Sequence, residues 1–128
     1  MLIDYFRRIE EIVSSFPAII SSEISFDHRT HNIGFVKGVL TFHDGSELHF
    51  KEFVKVGDVT VKYKYAYHYQ KEGRLIFRYD NHPIPLKDIP QCHKHLLSEE
   101  NILESTVPCI EDVLKETLLF LSSWNKLR

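Results

Sequence analysis

The chain has 128 residues, of which 43% are hydrophobic and 27% are charged, as expected for one globular domain with its own core. Its net charge is −2 with neutral histidines, which excludes a strongly basic nucleic-acid binder but leaves room for a local basic patch. Cys92 and Cys109 are expected to be reduced thiols. Charged residues within Met1–Phe16 argue against a signal peptide, and no apolar run reaches the ~20 residues of a membrane span. We therefore expect a cytoplasmic protein that does not enter the membrane.

The first predicted element is an amphipathic helix over residues 2–16. Apolar residues recur there at steps of three and four, which places them on one helical face. Pro17 is expected to end the helix. The apolar face consists of Leu2, Tyr5, Phe6, Ile9, Ile12, Val13 and Phe16.

Between residues 18 and 80 the hydrophobic period changes to two, which predicts β-strands. The Asp44-Gly45 pair between two alternating runs predicts a hairpin. Residues 71–73 are interpreted as a three-residue loop, which would place Tyr67 opposite Phe77 and Ala66 opposite Arg78. The predicted strands cover residues 18–26, 34–42, 47–56, 60–70 and 74–80.

Residues 81–109 hold four of the five prolines and show no clean period, so we expect an irregular, partly docked segment. A second amphipathic helix is predicted over residues 110–125, with Glu111 and Asp112 in its first turn. The expected fold is a single α+β domain over residues 1–128. It combines a five-strand antiparallel β-meander with N-terminal and C-terminal α-helices packed on one face.

Polar side chains collect on one face of the last two predicted strands and in the segment that follows them. Histidine, arginine and carboxylate in one cleft supply a base, an acid and a cation for attack on a phosphodiester. A metal site is the chemical alternative, although the chain has neither a Cys-x-x-Cys nor a His-Glu-x-x-His motif. Our main expectation includes no cofactor. The alternative metal ligands are Asp80, His82, His93 and His95.

These residues also carry a resemblance to a known family, the TumE family. The strand pair Tyr-Ala-Tyr-His-Tyr-Gln (65–70) and Gly-Arg-Leu-Ile-Phe-Arg-Tyr-Asp-Asn (73–81) resembles the core motif of that family. Pro-Gln-Cys-His-Lys-His (90–95) is similar to its next element. The chain departs from the family at Pro83-Ile84-Pro85, where members often have two histidines, and near Cys92, where they often have one. The residues that match are His68, Arg78, Asp80, Asn81, His93 and His95.

The resemblance implies the toxin half of a type II toxin–antitoxin pair, with a cognate helix-turn-helix antitoxin protein encoded beside it. RNA is the substrate that the cluster suits, and a homodimer is compatible with the sequence.

The first hypothesis is a metal-independent ribonuclease. In it, His68 and His95 act as general base and acid, Arg78 stabilises the phosphorane, and Asp80 orients a histidine. Residues expected to bind substrate are Lys64, Tyr67, Gln70, Asn81, His93 and Lys94. The second hypothesis is a protein-binding module without turnover.

Overall fold

The computed structural model describes residues 1–84 and 91–126, with the side chains of 122–126 left out. Pro85, Leu86, Ile89 and Pro90 of the predicted irregular segment therefore lie outside the described residues, as does the side chain of Trp124. None of the described helices is long and apolar enough to cross a bilayer. In chain order the elements are α1 (Leu2–Ser14), β1 (Ile19–His28), β2 (Ile33–Phe42), β3 (Glu47–Lys55), β4 (Val61–Lys71), β5 (Arg74–Asp80), β6 (His93–Leu96), β7 (Ile102–Glu104) and α2 (Ile110–Lys126).

All strands form one antiparallel sheet in which spatial order follows chain order from β1 to β7. The α+β class and the antiparallel sheet are confirmed, but the described residues form a sheet of seven strands and the prediction of five is wrong. The two additional strands lie within residues 81–109, which were predicted to be irregular. Without them the backbone groups along one side of β5 would lack partners from the sheet.

The predicted register of the β4–β5 hairpin is also wrong. Its turn has two residues, Glu72 and Gly73, with φ angles of 52° and 74°. These angles are positive because a two-residue hairpin turn of this type requires positive φ at both central positions. Tyr69 pairs with Phe77, whereas Gln70 pairs with Leu75. The residue left between them forms a bulge. As a result, His68 lies directly opposite Arg78, and Tyr67 lies opposite Tyr79.

The two faces of the sheet differ sharply. Along β3, Leu48, Phe50 and Val54 are buried together with Glu52. The strand residues on this side form one hydrophobic cluster that also contains the buried residues of α1 and α2. We call this side the core face. The opposite side, which carries His49 and the other odd-numbered residues of β3, is the open face.

The buried Glu52 on the core face has three polar partners. Tyr5 from α1 and Tyr67 from β4 both donate hydrogen bonds to the Glu52 carboxylate. Lys62 Nζ lies 3.4 Å from Glu52 Oε2 and donates to the Tyr67 hydroxyl over 2.6 Å. A paired and hydrogen-bonded carboxylate of this kind avoids the penalty of an isolated buried charge.

Cys92 and Cys109 are free thiols.

Gly34 on β2 tests how closely α1 approaches the sheet. A Cβ atom at this position would lie 2.5 Å from Leu2 Cδ2 and 2.8 Å from the Asp27 carbonyl oxygen. Gly34→Ala should therefore lower the free energy of unfolding by about 1–3 kcal/mol through overpacking, as measured by urea denaturation. Gly57→Ala is the matched control, since the nearest atom to its Cβ lies 3.8 Å away. Equal effects of the two substitutions would contradict the close packing of α1.

Candidate functional site

Two rows of polar residues cross the open face between β4 and β6. In the first row, Arg78 on β5 pairs with His68 on β4 and with His95 on β6. In the second row, Asp80 pairs with His93. Neighbouring strands lie about 4.8 Å apart, so side chains from all three strands share one small area. The structure thus brings both histidines of the 93–95 segment back to the β4–β5 hairpin.

The deepest part of this area is formed by Asp80, His93 and His95, which we call the triad. The relative exposures of these residues are 5%, 1% and 3%. Each offers one potential ligand atom, and these atoms lie within 4.8 Å of one another. The two imidazole rings meet edge to face, with centroids 5.0 Å apart. Next to the triad is a cavity of about 450 Å³, whose lining also includes Arg78, His82 and Glu99.

Backbone carbonyls fix the orientation of both rings. His93 Nδ1 lies 3.0 Å from the Gln91 carbonyl oxygen, and His95 Nδ1 lies 2.8 Å from that of Glu99. A carbonyl oxygen can only accept, so each Nδ1 carries the hydrogen. In a neutral ring of this tautomer, the nitrogen lone pair lies on Nε2. The turn that brings Glu99 back starts at Leu97, whose φ of 64° is unusual for a residue with a side chain.

Arg78 is tied to two carboxylates. Its Nε donates to Asp80 Oδ2 over 2.8 Å, and its Nη atoms lie 2.8–2.9 Å from the oxygens of Glu99. The Glu99 side chain is 53% exposed, whereas that of Asp80 is only 7% exposed. The ion pair with Glu99 therefore lies at the solvent-exposed side of the site. An anionic ligand could displace the Glu99 carboxylate from Arg78 more readily than the Asp80 carboxylate.

His68 is half-buried beside a groove of about 720 Å³ on the open face. Its Nε2 lies 3.0 Å from Gln70 Oε1. Burial lowers the pKa of His68, and the Arg78 guanidinium and His49 act in the same direction, against the hydrogen bond to Gln70 and the charge of Glu99. His68 is therefore mainly neutral at pH 7 and available as a base.

Two predicted substrate-binding residues lie on the other side of the sheet. Tyr67 is fully buried on the core face, and Lys94 forms an ion pair with Glu116 of α2 over 2.6 Å. Neither reaches the triad, because alternate residues of a strand point to opposite faces. The structure therefore does not bring these two residues together with the other predicted site residues.

The remaining predicted residues have varied surroundings. The Asn81 side chain binds the backbone of β4. It accepts a hydrogen bond from Tyr65 N and donates one to the Tyr63 carbonyl oxygen. His82 is exposed, and its backbone N–H donates to Asp80 Oδ1 over 3.0 Å. Lys64 is exposed on the open face, opposite Phe53 of β3, and Asp80 pairs with Ala66 of β4.

Sequence reasoning missed the contribution of the earlier strands to the open face. His49 pairs directly with His68, and Lys51 pairs with Ala66. Extending the antiparallel alignment from β4 to β3 would have found both, because residues on one face recur at every second position. The other missed residues of this face are Phe35, Lys37, Phe53 and Tyr63.

Comparison with known proteins identifies the family. The family model described as "Toxin TumE" matches residues 7–125. The chain belongs to the TumE toxin family. An antitoxin partner is implied by this membership. No curated protein and no solved structure matches the chain.

Substitution of Asp80 tests how much the triad contributes to the free energy of unfolding of this TumE member. Asp80→Ala should lower the free energy of unfolding by about 2–4 kcal/mol, because it removes the buried carboxylate that pairs with Arg78 and His93 and leaves Arg78 only the exposed Glu99. Asp27→Ala is a matched control. The Asp27–Arg29 pair has the same two-residue spacing and the same 2.8 Å distance, but its side chains are 56% and 61% exposed.

The control substitution should cost less than about 1 kcal/mol. Chemical denaturation of both variants measures the difference, and similar losses for the two aspartates would refute a special contribution of Asp80.

Proposed function

We propose that this TumE member is the toxin of a type II toxin–antitoxin pair that binds single-stranded RNA on the open face and cleaves it. Membership of the toxin family supports the first part of this proposal. The second part is supported mainly by two lysines, Lys37 and Lys51, that lie directly opposite each other on β2 and β3.

This lysine pair is a site of unbalanced positive charge. Like charges in directly opposed strand positions destabilise a sheet. Both side chains are exposed, and neither forms an ion pair within the part of the chain that the structure describes. They line the groove that also contains His49 and His68. A phosphate group between the lysines would relieve their repulsion, so the protein needs no net positive charge to bind an anion here.

Aromatic rings adjoin the lysines on the same face. Phe35 and Phe53 are half-buried, with ring centroids 6.0 Å apart, and Tyr63 is 47% exposed, with its centroid 5.5 Å from that of Phe53. Rings on an open antiparallel sheet, interspersed with lysines, are typical of surfaces on which unpaired bases stack. Since duplex bases are already stacked, these rings favour a single strand over a duplex.

The groove leads from the lysines to His68, which lies directly opposite Arg78 on β5. We place the chemistry at these two residues. His68 would accept the proton of a ribose 2′-hydroxyl group, whose oxygen forms a bond to phosphorus while the bond to the 5′-oxygen breaks. The leaving 5′-oxygen would take its proton from water. Arg78 would stabilise the negative charge of the phosphorane. The predicted function of His95 as the partner acid is not part of this proposal, because its ring is 3% exposed.

The antitoxin partner follows from the family, and we propose that it is a helix-turn-helix protein. We further propose that it neutralises the toxin by covering the lysine groove. This arrangement predicts that RNA and antitoxin compete for one surface. Homodimer formation is not required by this geometry.

RNA affinity tests the binding surface. Lys51→Ala should reduce the salt dependence of binding to a single-stranded RNA by about 0.7 in the slope of log K against log salt concentration. Phe53→Leu should weaken binding by about 1–3 kcal/mol through lost stacking. Fluorescence anisotropy at several salt concentrations measures both effects. Lys115→Ala on α2, where the side chain is 66% exposed, is the control that should change neither.

RNA cleavage tests the chemistry. His68→Gln should slow cleavage at least about 100-fold, and the exposed His43→Gln in the β2–β3 turn should not. Because the pKa of His68 is lowered, the base stays neutral on mild acidification, and the acid limb of kcat/KM should lie below pH 6.5, the reference value. A substrate with 2′-deoxyribose at the cleaved position should bind but resist cleavage. Full activity of His68→Gln would refute the assignment, and tight binding without cleavage of any RNA would favour a binding module.

A further inference from the structure

We propose that Asp80, His93 and His95 bind one divalent transition-metal ion of the zinc class through Oδ1, Nε2 and Nε2. This inference does not rest on the proposed function, because metal binding by these residues requires neither RNA nor cleavage. The exposed His82, which belonged to the metal alternative from sequence, is not one of the ligands.

The first argument comes from the hydrogen bonds of the rings. Both Nδ1 atoms donate to backbone carbonyls, which is the arrangement found behind metal-bound histidines. It fixes the ring orientation and leaves Nε2 as the ligand atom. Two rings in one cluster share this arrangement, and each ring offers one nitrogen within 4.8 Å of the same carboxylate.

The second argument comes from the contacts of these atoms. His93 Nε2 lies 2.8 Å from Asp80 Oδ1, so a proton or a metal ion must separate two electron-rich atoms. His95 Nε2 is buried and has no hydrogen-bond partner within the described part of the chain. An unpartnered polar atom in a buried site is costly. A proton on His93 would satisfy the first contact only, whereas one metal ion would satisfy all three atoms.

The third argument comes from the support around Asp80. Its Oδ2 accepts from Arg78 Nε over 2.8 Å, and its Oδ1 accepts from the backbone N–H of His82 over 3.0 Å. These contacts orient the carboxylate in the way that ligating carboxylates are commonly oriented. One oxygen is thereby directed at the imidazoles while the other is neutralised.

The donor set indicates the class of metal. Two imidazole nitrogens and one carboxylate oxygen suit zinc and other first-row transition ions, whereas magnesium and calcium prefer oxygen ligands. A tetrahedral ion with bonds of about 2.1 Å requires ligand atoms about 3.4 Å apart, so small side-chain movements within the present limit of 4.8 Å would complete the site. The adjoining cavity of about 450 Å³ provides access and space for a fourth ligand such as water.

Titration of the metal-free, untagged protein with zinc chloride tests the proposal by isothermal calorimetry. We expect one Zn²⁺ per chain with a Kd of about 1 μM or tighter, and no heat from magnesium chloride. His95→Gln should weaken zinc binding at least about 100-fold, whereas His82→Gln should leave it within a few-fold. Circular dichroism of each variant verifies that it is folded.

Two results would overturn the proposal. The first is a wild-type protein that binds no zinc below about 100 μM. The second is zinc binding that persists in His95→Gln, and loss of that binding in Cys92→Ser would then place the ion on the thiol next to His93. Should His95→Gln not fold, the ligand shifts of the wild-type protein decide, because zinc must perturb the Nε2 resonances of both triad histidines in ¹⁵N spectra. RNA binding and cleavage can fail without changing any of these outcomes.

Discussion

The backbone pairing of β6 with β5 is the constraint on which the site depends. Four residues, His93–Leu96, form a strand that places His95 beside Arg78 and His93 beside Asp80. The alternation of side chains then directs both histidines to the same face. Strand β7 pairs with β6 in turn, so the histidine strand lies inside the sheet rather than at its edge. A strand with neighbours on both sides has less freedom to shift in register than an edge strand.

The core face of the sheet stabilises the fold, whereas the open face carries the candidate site. Its core face holds the hydrophobic cluster and the buried Glu52 with its three polar partners. Its open face carries exposed lysines, half-buried rings and the triad. Lys94 illustrates the separation, since it lies between two site histidines in sequence yet pairs with Glu116 on the core face. Substitutions on one face can therefore alter function while leaving most of the core contacts in place.

The sequence predicted the two helices and the first five strands, because their apolar periods are long and strong. It could not predict β6 and β7, which span only His93–Leu96 and Ile102–Glu104. The buried residues of β6 are two histidines, and histidines do not register as a hydrophobic pattern. The β4–β5 register failed for a different reason, since the bulge between Leu75 and Phe77 leaves no clear signal in composition. Sequence alone named all three triad residues, but only the fold separates them from His82.

The central claim is the register that joins β5 to β6, and cross-strand nuclear Overhauser effects in the isotopically labelled protein test it most directly. The structure predicts backbone contacts that link Arg78 with His95 and Asp80 with His93, followed by contacts from His93 to Glu104 on β7. Contacts linking Asp80 with Lys94 or His95 as direct partners, or the absence of cross-strand contacts from residues 93–96, would contradict the account.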